Sequence, residues 1–149
     1  GAGPRAASAL ALKDRHSNMP LRIGRLRKRS EYLRVASAGH KSATKGLVLQ
    51  ALDRDDDHPH ADLDATAQAW LGITASRRVG GAVARNRAKR RLRAAAAQVL
   101  PTNATANFDY VLIGRQATLT RAFPALLSDL EAALRHVSEV STKSNQETS

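Results

Sequence analysis

The chain has 149 residues and no cysteine. Disulfide scaffolds, thiolate nucleophiles and cysteine-based zinc sites are therefore excluded together. Aromatic residues are also scarce. Tyr32, Trp70, Phe108, Tyr110 and Phe123 make up 3% of the sequence, so a core must rest on Leu, Val, Ile and Ala. No apolar run approaches the ~20 residues that a membrane helix needs. The longest near the N-terminus, Ala6 to Leu12 with Ser8 inside it, is too short and too weak for a secretory signal. These absences predict a cytoplasmic protein with no membrane partner. Acid is in short supply as well. Against 24 Lys and Arg stand 13 Asp and Glu, for a formal net charge of +11, and such an excess points to a polyanionic partner.

The length suits one domain with room for unstructured ends. Residues 1–20 read as a flexible N-terminal extension, 21–137 as the folded domain and 138–149 as a disordered C-terminal tail. Met19 is the sole methionine. It leaves open whether residues 1–18 lie upstream of a native start or form a processed extension.

The charge is segregated. Eight basic residues lie between Arg22 and Lys45 with one acid, Glu31, and eight more lie between Arg77 and Arg93 with none. Six acids crowd instead into 53–64: Asp53, Asp55, Asp56, Asp57, Asp62 and Asp64. The pattern predicts a cationic face and a separate acidic loop.

Periodicity gives the elements. Residues 29–38 suit a short helix with Tyr32, Val35 and Ala36 on one face, stopped by Gly39. Residues 46–52 and 68–75 read as strands, and 53–67 as a loop containing Pro59. Arg77 to Gly81 form a turn. Residues 82–99 are a helix of alanine and arginine, with Pro101 limiting its continuation. Residues 108–114 form a buried strand, and 121–137 an amphipathic helix. Together these make an α+β fold, an α/β two-layer sandwich. Its small mixed sheet has about four strands, and a long Arg-rich helix lies in a strand–helix–strand crossover.

That helix has a definite chemistry. Ala84, Ala88, Leu92, Ala95 and Val99 form an apolar stripe. With Ala88 at zero, Arg85, Lys89, Arg93, Asn86 and Arg90 occupy the arc from about 60° to about 200°, while Arg87 and Arg91 fall on the opposite shoulder. Guanidinium groups pair with phosphate through two donors, and lysine adds a point charge. Asn86 offers a donor and an acceptor, for a ribose hydroxyl or base edge, or equally serves as a local cap or exposed filler. Arg77, Arg78, Gly80 and Gly81 precede the helix, whose free N–H groups and dipole favour an anion.

Ser76 to Arg93, SRRVGGAVARNRAKRRLR, resembles the signature of the bacterial ribonuclease P protein subunit. Two further blocks, Arg25 to Ser42 and Phe108 to Arg115, resemble that family's aromatic helix and last strand, and Leu134, Arg135 and His136 suit its closing helix. The resemblance runs from about Arg22 to Val137. It implies a subunit of an endoribonuclease whose catalytic centre lies in an RNA partner, where Mg²⁺ activates water at the 5′ end of mature tRNA. The chain itself would supply neither catalytic side chains nor metal ligands. Carried over by residue, Arg77, Arg78, Arg85, Asn86, Arg87, Lys89, Arg90 and Arg93 would contact RNA. Tyr32, Val35 and Gln50 would line a cleft for the 5′ leader of precursor tRNA. Ala36 and Gln50 depart from the family, which often has aromatics there. The implied partners are the RNA subunit and precursor tRNA, with no obligate protein partner.

Other readings have less support. His58, His60, Asp62 and Asp64 imitate a metal site of a self-sufficient nuclease, but Pro59 and polar neighbours place them in a loop. A ribosomal or RNA-chaperone protein would share the charge but not the ordered blocks. A DNA-binding role lacks any sign of a dimer or paired half-site.

Overall fold

The computed structural model describes residues 20–54 and 66–148. In chain order these form β1 (Ile23–Arg25), α1 (Arg29–Ala38), β2 (His40–Ala43), β3 (Leu47–Asp53), β4 (Ala69–Ala75), a 3-10 turn (Arg77–Val79), α2 (Ala82–Asn103), β5 (Phe108–Gly114), α3 (Gln116–Thr120) and α4 (Phe123–Thr148). The extension at 1–19 and most of the acidic loop, with His58, His60, Asp62 and Asp64, lie outside the described residues.

The five strands lie in the order β1–β4–β5–β3–β2. The β1–β4 and β4–β5 pairs are parallel, and the β5–β3 and β3–β2 pairs antiparallel. Helix α2 joins the parallel neighbours β4 and β5, which is the expected crossover. The α+β class is as the sequence predicts, with five strands rather than about four. The two beyond the three that periodicity locates, β1 and β2, have three and four residues and too little alternation to read from sequence. They exist because longer strands offer them an edge.

Alternation on β5 separates two cores. Tyr110 and Leu112 face α2 and α4 with Leu47, Leu49, Leu92, Leu100, Leu126 and Leu130. Val111 and Ile113 face the other way, toward α1, with Val35, Leu26 and Trp70. Helices thus cover both faces, and α1 adds a partial third layer to the predicted two. Burying each of those leucines stabilises the fold by ~1.5–3 kcal/mol.

Two helices run further than their sequence predicts. Pro101 sits inside α2, which ends at Asn103 and is closed by the Ala104 N–H donating to the Leu100 carbonyl at 2.9 Å. Proline removes one helical bond but tolerates the last turn when the chain is held there. The Leu21 N–H donates to the Pro101 carbonyl at 2.7 Å, tying the entry of β1 to the end of α2. Helix α4 extends past Val137 to Thr148, where the sequence predicts a polar tail.

Asn107 closes the same end of the sheet, where β1, β4 and β5 begin. At φ 68° it occupies the left-handed region that asparagine tolerates. Its N–H donates to the Gln68 carbonyl at 2.6 Å and its Nδ2 to the Arg54 carbonyl at 2.7 Å.

Candidate nucleic-acid interface

The cationic ridge begins where β4 turns into α2. Ser76 Oγ accepts from the Arg78 N–H at 3.3 Å and opens the 3-10 turn. Gly80 follows at φ 142°, a backbone conformation that side chains rarely adopt. Gly81 is the N-cap of α2 and has no side chain with which to satisfy the first N–H groups. Arg77 and Arg78 stand exposed beside this end.

Along α2 the apolar stripe falls as its spacing predicts. Ala88, Leu92, Ala95 and Val99 are buried, and Ala84 is half-buried. Asn86, Arg87, Arg90 and Arg93 are exposed, while Arg85 and Lys89 are half-buried. Asn86 lies five residues past the N-cap, so it does not cap the helix. Arg91 takes a different part. Its Nη1 donates to the Leu119 carbonyl at 3.0 Å and its Nη2 to the Arg121 carbonyl, so it holds the end of α3 against α2.

Lys89 and Arg93 reach the rim of an 860 Å³ groove. Its floor is Leu21, Ile23, Leu71, Ile73 and Ala96, and its far side includes Arg25 and Tyr32. No acid lines it. Strand β1 ends at Arg25, opposite Leu71, so β4 runs on beyond its partner along the groove. Sequence reasoning did not find the groove or the place of Arg25 in it, because both depend on the unpredicted β1.

The predicted cleft residues separate. Tyr32 is half-buried and lies on the sheet over Gly72; a Cβ at Gly72 would come within 2.5 Å of its ring. Gln50 is half-buried on the same face, in register with Val111. Val35 does not belong with them. It is 0% exposed and packs with Leu26, Trp70 and Val111, so it cannot line an open cleft. The helical spacing from Tyr32 put both residues on one face, but at different depths.

Beneath α1 lies a charge cluster that the sequence did not reveal. Asp109 is 0% and Arg54 1% exposed. Arg54 Nε donates to Asp109 Oδ1 at 2.9 Å, and its Nη2 lies 2.7 Å from both Asp109 Oδ2 and Glu31 Oε1. Arg34 Nη1 donates to Asp109 Oδ2 at 3.1 Å. The Arg54 guanidinium lies 5.2 Å from the centre of the Trp70 ring. Burial pushes the Asp109 carboxyl above its ordinary range, and the bond and charge of Arg54 oppose that rise.

The groove brings Lys89 and Arg93 of the ridge together with Arg25 and the Tyr32 ring. It suits a phosphate-rich ligand, and no base–nucleophile pair is built into it. No helix among the described residues is long and apolar enough to cross a membrane.

Comparison with known proteins bears on the same region. Residues 21–138 match the family model described as Ribonuclease P. The ribonuclease P protein component of Paramagnetospirillum magneticum is 48% identical over 120 residues, covering 80% of this chain and 86% of that protein. That of Gluconacetobacter diazotrophicus is 47% identical over 114 residues, covering 76% and 90%. Among solved structures, the RNase P protein from Thermotoga maritima is similar in fold, with a TM-score of 0.58 at 23% identity over 77% of this chain and 96% of that one. By residue identity, coverage and fold, the chain belongs to the ribonuclease P protein family, whose members are the protein subunits of an endoribonuclease.

Proposed function

We propose that the chain docks on the catalytic RNA of ribonuclease P through the α2 ridge and holds the 5′ leader of precursor tRNA beside α1. Arg77, Arg78, Arg85, Asn86, Arg87, Lys89, Arg90 and Arg93 make the RNA contacts. Tyr32 and Gln50 face the leader. The observation that carries this reading is spatial continuity: Lys89 and Arg93 of the ridge line the same groove as Tyr32. An RNA strand can therefore leave the ridge and reach the ring along a groove that no described acid lines.

In this reading the chemistry belongs to the RNA, where bound Mg²⁺ would supply the activation of water. Among the described residues, Asp109 and Glu31 do not fit as ligands for that ion. Asp109 and Glu31 are engaged by Arg54 and Arg34, and the described residues contain no group of three acids or histidines able to hold a metal. The protein's contribution is electrostatic and positional, and its place of action is the cytoplasm.

Reconstitution tests the proposal. Precursor tRNA is incubated with the protein alone, the cognate RNA alone, and both at low magnesium. Stimulated cleavage only in the mixture is the expected result. Cleavage by the protein alone would replace this reading with that of a self-sufficient nuclease.

A further inference from the structure

Helix α1 is poorly fixed by apolar packing. Of its ten residues only Val35 is fully buried, and Leu33 is 54% exposed. Val35 and the half-buried Tyr32 ring are its apolar contacts with the cluster beneath, and they set the distance between helix and sheet more firmly than its rotation or pitch, because the hydrophobic effect has no direction. The charged side chains beneath α1 have the direction that apolar packing lacks. Glu31 and Arg34, one turn apart on α1, reach Arg54 at the exit of β3 and Asp109 on β5. Both anchors are essentially unexposed. Buried ion pairs are often no better for stability than apolar residues of the same volume, so stability alone does not account for this cluster.

We infer that Asp109, Arg54 and Glu31 are positioning residues. They fix the orientation of α1 and so hold the Tyr32 ring against Gly72, ready to meet precursor RNA. The inference rests on the leader-cleft reading above. Tyr32 is next in sequence to Glu31 and two residues from Arg34, so any rolling of α1 carries the ring with it. Gly72 completes the seat, since a side chain there would push the ring away.

The test uses the reconstituted holoenzyme and compares affinities for precursor and mature tRNA. Glu31→Gln and Asp109→Asn are expected to lower the preference for precursor by roughly tenfold, the loss equivalent to one weakened stacking contact. Affinity for the RNA subunit should stay unchanged. In a Tyr32→Ala background the same substitutions should cost nothing further, because their effect passes through that ring. Glu31 is partly exposed, so Glu31→Gln remains informative if Asp109→Asn fails to fold.

Losses that add to that of Tyr32→Ala would overturn the inference. So would an equal loss of RNA-subunit affinity. A loss from Tyr32→Ala with none from Glu31→Gln would remove the positioning role and leave the cleft reading standing. No loss from Tyr32→Ala would remove both.

Discussion

Arginines on one helix have unlike roles, and burial with hydrogen bonding separates them. Arg90 is exposed, whereas Arg91 is half-buried and satisfies two carbonyls at the end of α3. Arg90→Ala should therefore weaken binding to the RNA subunit with little change in melting temperature. Arg91→Ala should do the reverse, at a stability cost of about 1.5–3 kcal/mol for lost charge-assisted bonds. Filter binding and thermal melting on the two variants check both halves. Tyr110 makes a second prediction at this scale. Its ring is buried, its Oη accepts the Thr105 N–H at 2.8 Å, and burial pushes the phenol above its ordinary value. The unfolded chain loses that proton near pH 10, whereas the folded chain holds it to higher pH. The stability that Tyr110 contributes is present below that pH and lost as pH climbs through the folded value. Urea melts across the alkaline range should show the fall, and Tyr110→Phe should flatten it.

At the scale of elements, the link between β4 and α2 decides where the ridge begins. Gly80 at φ 142° permits the sharp exit from the 3-10 turn, and it sits close to the Ala84 side chain. Gly80→Ala forces that backbone into a strained region, at a cost of ~1–3 kcal/mol. Amide hydrogen exchange should show faster opening at the start of α2, with β3 and β5 unaffected. The crossover helix is held from two sides. Leu92 and Leu100 sink into the main core, while Arg91 clamps α3. Leu92→Ala is expected to cost about 2–5 kcal/mol, since little neighbouring chain can collapse into the cavity left behind. Denaturant melts measure that loss.

Over the whole molecule, the sheet separates the two proposed surfaces. Its main-core face carries α2 and α4, and its other face carries α1 on a buried ionic seat. The ridge and the ring meet where the short β1 leaves the edge of β4 open. In the proposed docking, each Lys or Arg that neutralises a phosphate releases counterions from the RNA. If ~6–10 phosphates are contacted, affinity for the RNA subunit should fall ~10³–10⁵-fold between 50 and 200 mM salt. A shallow dependence, measured by titration at several salt concentrations, would speak against the ridge as the docking surface.

The sequence by itself determined which residues lie on which side of α2. A period of 3.6 residues is a local property, and the Ala88–Leu92–Ala95–Val99 stripe is buried as that period requires. It also determined α1 and β5, whose bounds match the predicted 29–38 and 108–114. The ordered motif blocks gave the family. Tertiary structure decided the rest, because the rest depends on partners distant in sequence. Strand β1 forms only against β4, and it brings Arg25 to the groove. Val35 and Tyr32 share a helical face, yet only the fit of α1 against the sheet buries one and leaves the other accessible. Arg54, Asp109 and Glu31 are ordinary charges in a linear chain. Desolvation makes them a cluster, and that arises only when three separate segments exclude water from one place.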